Sequence, residues 1–214
     1  MNFYESQLNF IKNTLGNCDK VLAFDLETLV KNNSFLANER IIAISVTTSD
    51  MKTRLIIADN DSEDEEYRIL LDFNKLIADY RPEIIIGFNH AAYDIPLIYT
   101  KLVKLAYAKQ LWDLKFFFAT SFIVDMMYIC AMDLFSWTGE YKIRGLKKLL
   151  EHERYSKLPL DNKKGIVEID GMNKAEAIEN LWKTDRNKFM EYCKGDTRDV
   201  LILYNYIFKG KGIS

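Results

Sequence analysis

Proline and glycine are scarce, three and nine in 214 residues, which excludes a collagen-like or loop-dominated chain. Cys18, Cys130 and Cys193 are an odd number at wide spacing, without a C-x-x-C pair. That pattern fits reduced thiols in a cytoplasmic setting better than a disulfide framework or a cysteine zinc site. No stretch reaches the roughly 18 uncharged apolar residues of a membrane span. The opening MNFYESQLNFIKNTL is polar too regularly to be a secretory signal, so no membrane partner is expected. Charge of either sign is also nearly absent in the balance. A formal net charge of −2 lacks the basic excess usual in a sequence-independent nucleic-acid binder. Four carboxylates engaged with cations would nevertheless leave a slightly basic remainder.

What is present is apolar and aromatic. At 49% hydrophobic, with 13 Phe, 12 Tyr and 3 Trp, the chain can bury one sizeable core, and a single domain over 1–214 is expected. Leu8, Ile11 and Leu15 share a face of a short helix over 6–15. The period then changes to β: VLAFDLE (21–27), RIIAISVTTS (40–49) and TRLIIA (53–58) follow on short connections and predict an antiparallel meander. DSEDEE (61–66) reads as the solvated, dipole-favoured first turn of the helix YRILLDFNKLIADY. EIIIGF (83–88) is a short strand buried on both faces. A helix from about Ile95 with Pro96 in its first turn comes next, then a strand at FIVD (122–125), a helix near 144–153 and a long helix from about Thr184 to Phe208. The expected fold is α/β: a mixed sheet of five to six strands, the first three an antiparallel meander, flanked by helices. An RNase H-like fold fits this order, as do flavodoxin-like arrangements, so the pattern leaves function open.

Chemistry enters with acids in apolar surroundings. Asp25 and Glu27 are two apart on a predicted strand and project from one face, while Phe24 and Leu26 point the other way. Side by side they repel unless a hard divalent cation lies between them, or unless the strand is an edge whose acids face water. Asp94 sits ahead of Ile95 and Pro96, in a helix-capping position or at the C-terminal end of a sheet strand where ligands gather. Asn89 shares that loop and is placed to steer a phosphate. On the last helix Tyr192 and Asp196 are four apart and share a face, as active-site groups or as a buried ring with an exposed ion pair; Asp199, seven from Tyr192, lies near it.

In order along the chain, D-x-E in FDLET, N-x-x-x-[FY]-D in GFNHAAYDIPLI and Y-x-x-x-D in EYCKGD resemble the three exonuclease motifs of the DEDD 3′–5′ exonuclease superfamily, Tyr subclass. The likeness is to the proofreading domain of family-B DNA polymerases. It runs over about 20–208 and includes IVDMMYI, which resembles an aspartate-bearing strand of that family, and YKIRGLKKLLEH, which resembles its Lys/Leu-bearing helix. Glu191 stands where the related His subclass has histidine. The resemblance implies that Asp25, Glu27, Asp94 and Asp196 hold two Mg²⁺ or Mn²⁺ ions and that Tyr192 orients or deprotonates the attacking water. Nucleoside 5′-monophosphates would be released. Without metal, disorder or perturbed pKa values are expected around Asp25 and Asp94.

The substrate implied is single-stranded DNA with a free 3′ end, RNA being the alternative, and a replication or repair protein is the implied partner. Leu26, Thr28 and Phe88 are candidates to wedge or stack on the terminal base, or are plain core. Lys142, Arg144, Lys147 and Lys148 are candidates to track phosphates, or form a solvated helix face. Residues 155–170 predict a loop with a short hairpin. His90 and His152 read as structural, with substrate contact an alternative for His90. The polymerase relatives carry palm, fingers and thumb on the same chain, whereas this sequence stops soon after the third motif; the expectation is a stand-alone exonuclease. The rival readings are an RNase H-like structure-specific endonuclease, which does not need Tyr-x-x-x-Asp, and a non-catalytic nucleic-acid-binding subunit, which would have lost a ligand.

Overall fold

The computed structural model describes residues 3–30, 39–104, 110–160 and 171–210. Five strands, β1 (Val21–Leu29), β2 (Arg40–Thr48), β3 (Thr53–Ile57), β4 (Ile84–Gly87) and β5 (Phe122–Asp125), form one sheet in the order β3-β2-β1-β4-β5. The pairs β1–β2 and β2–β3 are antiparallel, and β1–β4 and β4–β5 are parallel. The meander predicted from the sequence is therefore the first half of the sheet. Helices α2 (Glu63–Tyr80), α3 (Asp94–Lys104) and α4 (Trp112–Thr120) cover one face; α1 (Phe3–Leu15), α5 (Met126–Thr138) and α8 (Arg186–Lys209) cover the other.

The central strand β1 is buried on both sides, which is why it reads as a continuous apolar run. Leu22, Phe24 and Leu26 pack with Phe73, Ile77, Leu97 and Phe118 on the α2/α3/α4 face. Val21 and Ala23 pack with Ile129, Leu201 and Tyr204 on the other. Strand alternation then places Asp25 and Glu27 on the α8 face. The neighbouring Leu29 closes a third apolar cluster with α7 (Lys174–Thr184) and Tyr192 of α8. Helix α8 is pinned to the sheet by polar as well as apolar contacts: the Thr197 hydroxyl lies 2.9 Å from Ser45 Oγ and 2.8 Å from Thr47 Oγ1. That contact fixes the rotation of α8, and with it the direction of Asp196.

The acidic stretch opens α2 as expected, and Ser62 caps it by accepting from the Glu65 N–H. Glu66 departs from the solvated reading. Only 1% exposed, it accepts from the Ile41 N–H and pairs with Arg40 and Lys101, each contact at 2.8 Å, because its place on the helix turns it toward β2 and α3. Helices α4 and α5 were not foreseen. WDLKFFFAT and MMYICAMDLFSWT are apolar around much of their circumference and offer no 3.6-residue alternation. The helix expected near 144–153 is a single turn, α6 (Leu146–Leu150). Beyond it, Arg154 and Tyr155 are drawn to the buried Asp133 carboxylate, the Tyr155 hydroxyl donating at 2.7 Å, so side chains rather than helix hold that segment. Of the loop predicted over 155–170, residues 161–170 lie outside the described ones. No helix among the described residues is long and apolar enough to cross a membrane.

Candidate active site

Carboxylate oxygens of Asp25, Glu27 and Asp196 all lie within 4.8 Å of one another. Two come from the central strand and one from the last helix, 169 residues further on in the chain. Asp94, first residue of α3, stands outside this trio but is tied to the same strand: its Oδ1 accepts from the Leu26 N–H at 3.0 Å. Asp199 is 1% exposed and is not among the clustered acids.

Burial and mutual repulsion mark these acids electrostatically. Glu27 is 5% exposed, and its pKa is driven well above the usual carboxylate range by burial first, then by Asp25, with Asp196 and Asp94 adding to it. Asp94 is raised by burial and by Asp25, against the opposing hydrogen bond from Leu26. A set of hard oxygen donors that strain against one another in this way fits a divalent cation of the Mg²⁺ or Mn²⁺ kind.

The loop that delivers Asp94 is tethered by the aspartate of the IVDMMYI stretch. Asp125, at the end of β5, accepts from the N–H groups of Asn89 at 2.9 Å, Ala91 at 3.0 Å and Met127 at 3.0 Å. Asn89 takes the left-handed backbone conformation, φ +65°, which asparagine tolerates better than most residues. His90 is fully buried, against Phe24 and in the space where Gly87 lacks a side chain. A Cβ on Gly87 would fall 2.4 Å from His90 Nδ1. His90 is therefore core and does not reach a substrate. His152, half-buried, accepts from the Arg154 N–H and is structural as well.

Over the carboxylates opens a cleft of two lobes, about 300 and 310 Å³. Asp25, Phe88, Asn89 and Lys174 border both. Leu26, Glu27, Thr28, Tyr93 and Asp94 belong to the first, and Asp196, Met127, Gly145 and Leu146 to the second. Leu26 and Thr28 are thus at once buried and cleft-lining, so core and site coincide there. Tyr192 lies deeper. It is 3% exposed, and its phenol pKa is pushed up by burial and by Glu27, Asp196 and Asp25. Of the basic run, Lys142 pairs with Glu140 in solvent and Lys148 is exposed.

Lys174, in the first turn of α7, is the functional candidate that motif reading missed. Its ammonium sits 5.9 Å from the Tyr192 ring centroid. Burial disfavours its charge, but Glu27, Asp25, Asp196 and Asp94 outweigh that and raise its pKa. The signal was available: Asn173 and Glu176 form a capping box that announces a helix start with a lysine one residue inside it.

The family model for "DNA polymerase family B, exonuclease domain" matches residues 9–148. The chain belongs to that family. Asp25, Glu27 and Asp94 lie within the matched span, whereas Tyr192 and Asp196 lie beyond it and join the site through the geometry above. A DNA polymerase of Archaeoglobus fulgidus is 26% identical over 193 residues, 86% of this chain and 22% of the relative. The structure of the family B DNA polymerase from Pyrobaculum calidifontis is similar with a TM-score of 0.63 at 18% identity, over 88% of this chain and 24% of that one. The chain thus spans about a quarter of the length of these relatives. The likeness establishes the mixed five-stranded α/β sheet as an RNase H-like fold of the kind in family B exonuclease domains.

Proposed function

We propose that the chain is a metal-dependent 3′–5′ exonuclease that removes nucleoside 5′-monophosphates from single-stranded DNA without needing an attached polymerase. The observation that carries this reading is the convergence of Asp25, Glu27 and Asp196 within 4.8 Å, beside Asp94, in a cleft with lobes of about 300 and 310 Å³. Asp25, Glu27, Asp94 and Asp196 would hold two divalent ions. When bound, these supply Lewis-acid activation of a water and offset charge on the leaving 3′-oxygen. The residues of the chain do the rest.

Tyr192, with its pKa raised, keeps its proton and serves as an orienting donor rather than a base. Lys174, kept protonated by the carboxylates around it, faces the incoming strand from the rim of both lobes and attracts its phosphates. Phe88 offers a half-buried aromatic edge to a base, and Asn89, held by Asp125, offers an amide to the backbone. The active form belongs to replication or repair, and RNA is the competing substrate to be tested.

Incubation of 5′-labelled single-stranded DNA and RNA with the protein and Mn²⁺ or Mg²⁺ tests the reading. A ladder shortening by one nucleotide at a time is expected on DNA. Internal cuts would make the protein an endonuclease, and an unchanged strand with a gel shift would make it a binding module.

A further inference from the structure

Helix α8 meets the sheet through a row of hydroxyls for which the reaction has no direct use. Thr197 Oγ1 lies 2.9 Å from Ser45 Oγ and 2.8 Å from Thr47 Oγ1, and Thr47 Oγ1 lies 2.9 Å from Thr53 Oγ1 on β3. Ser45, Thr47 and Thr197 are almost wholly buried. A hydroxyl donates once and accepts from another neighbour, so this row satisfies its own bonds in either direction. A threonine inside a helix commonly turns its hydroxyl back to the carbonyl four residues earlier. Here it reaches across to β2.

Both ends of that contact adjoin acids of the cluster. Ser45 is the cross-strand partner of Asp25, and Thr197 follows Asp196 on α8. The Ser45–Thr197 contact thus joins the sheet that carries two of the acids to the helix that carries the third, one step from an acid on each side. Thr47, two residues along β2, gives a second point of attachment. Two such points hold α8 against turning as well as sliding. Apolar burial is non-directional and does not do this by itself, whereas hydrogen bonds weaken steeply off their angle. Tolerance at the cluster is small. A carboxylate about 5 Å from a helix axis moves by about 1 Å when the helix turns by about 10°, and metal–ligand distances hold to about 0.2 Å.

We infer that Thr197 is a positioning residue: its hydroxyl keys α8 to Ser45 and Thr47 so that Asp196 meets Asp25 and Glu27 at the separation a divalent cation needs, and the affinity for the cation depends on it. This rests on the exonuclease reading above, in which those acids hold cations.

The test is Mn²⁺ binding by titration calorimetry to the wild type, Thr197→Val, Thr197→Ser and Tyr204→Phe. Valine keeps the shape and removes the hydroxyl; serine keeps the hydroxyl and removes a methyl. Tyr204→Phe reports on a merely loosened α8, since the buried Tyr204 hydroxyl, about two turns further along, donates to the Leu15 carbonyl at the end of α1 at 2.9 Å. The Mn²⁺ dissociation constant is expected to rise about tenfold in Thr197→Val, as on losing a group that orients a ligand, and to stay within about twofold of the wild type in the other two. All three should melt at a lower temperature, so stability and affinity part company. A Thr197→Val protein that binds as the wild type does, a Thr197→Ser protein as weak as Thr197→Val, or an equal loss in Tyr204→Phe overturns the inference and leaves the exonuclease reading standing. A wild type that binds no Mn²⁺ sinks that reading instead. Should circular dichroism show Thr197→Val unfolded, Ser45→Ala breaks the same contact from the sheet side; there too a fall in affinity supports the inference and an unchanged affinity overturns it.

Discussion

Neutralising an acid of the cluster should make the metal-free protein more stable while destroying its activity. Glu27→Gln is the sharpest case because Glu27 is the most buried of the trio and is raised by burial and by three other carboxylates. At an effective dielectric constant near 20, two unit charges 4.8 Å apart repel by about 3.5 kcal/mol. The raised pKa means that Glu27 sheds part of this by holding a proton, and Lys174 offsets another part. A net gain of about 1–2 kcal/mol remains, or about 2–8 °C in Tm for a chain of this size. The assay is thermal unfolding of both proteins in EDTA and in Mn²⁺. The variant should melt higher in EDTA, and Mn²⁺ should raise the wild type and not the variant. The sign with pH follows: an acid whose folded pKa is raised destabilises the native state above its unfolded value. Relative to Glu27→Gln, the wild type should therefore gain stability as pH falls from neutral toward about 4.5. A variant that melts lower in EDTA, or a wild type indifferent to Mn²⁺, refutes the reasoning.

His90 titrates in the opposite sense. Its pKa is lowered to about 4 by burial, against the pull of Asp125, so stability is lost as pH falls from about 6.5 toward 4, by up to about 3 kcal/mol; His90→Leu should flatten that slope in urea unfolding at pH 7.5 and 5. Gly87→Ala drives a Cβ into the His90 ring and should cost about 2–3 kcal/mol by the same measurement, with activity reduced because the Asn89–Asp94 loop must shift. Asp125→Ala strands three backbone N–H groups near the site; a loss of about 2–4 kcal/mol is expected, together with a larger fall in exonuclease rate than in Gly87→Ala, read on the labelled strand.

The sheet was legible because its signal is local. A β-rich run with acids at 25 and 27, short connections to 40–49 and 53–58, and the apolar strands at 84–87 and 122–125 each carry their own pattern. The convergence of Asp25, Glu27 and Asp196 was legible because alternation on β1 and the turn of α8 carry their spacings in sequence into space. What stayed hidden depends on contacts between distant segments. Nothing in WDLKFFFAT tells which side of α4 is covered, and Glu66 becomes a buried anchor only because Arg40 and Lys101 come to it from β2 and α3. The stretch bearing Asp125 carries part of the resemblance, but what its carboxylate does appears only when three N–H groups are seen to converge on it. Lys174 gains its place from α7 folding over the cleft, 147 residues along the chain from the Glu27 carboxylate that acts on it. His90 read as structural from the sequence, but how it is accommodated did not: the missing side chain of Gly87 lets its ring turn into the core.

The central claim is that carboxylates from the first strand and the last helix act together on the end of a nucleic-acid strand. Release of mononucleotide from a 3′-labelled single strand in Mn²⁺ measures this most directly, with wild type, Asp196→Asn and Asp199→Asn side by side. The account predicts nucleoside 5′-monophosphate from the wild type, a loss of about a thousandfold or more in Asp196→Asn, and retained release in Asp199→Asn. Undiminished release from Asp196→Asn would contradict it.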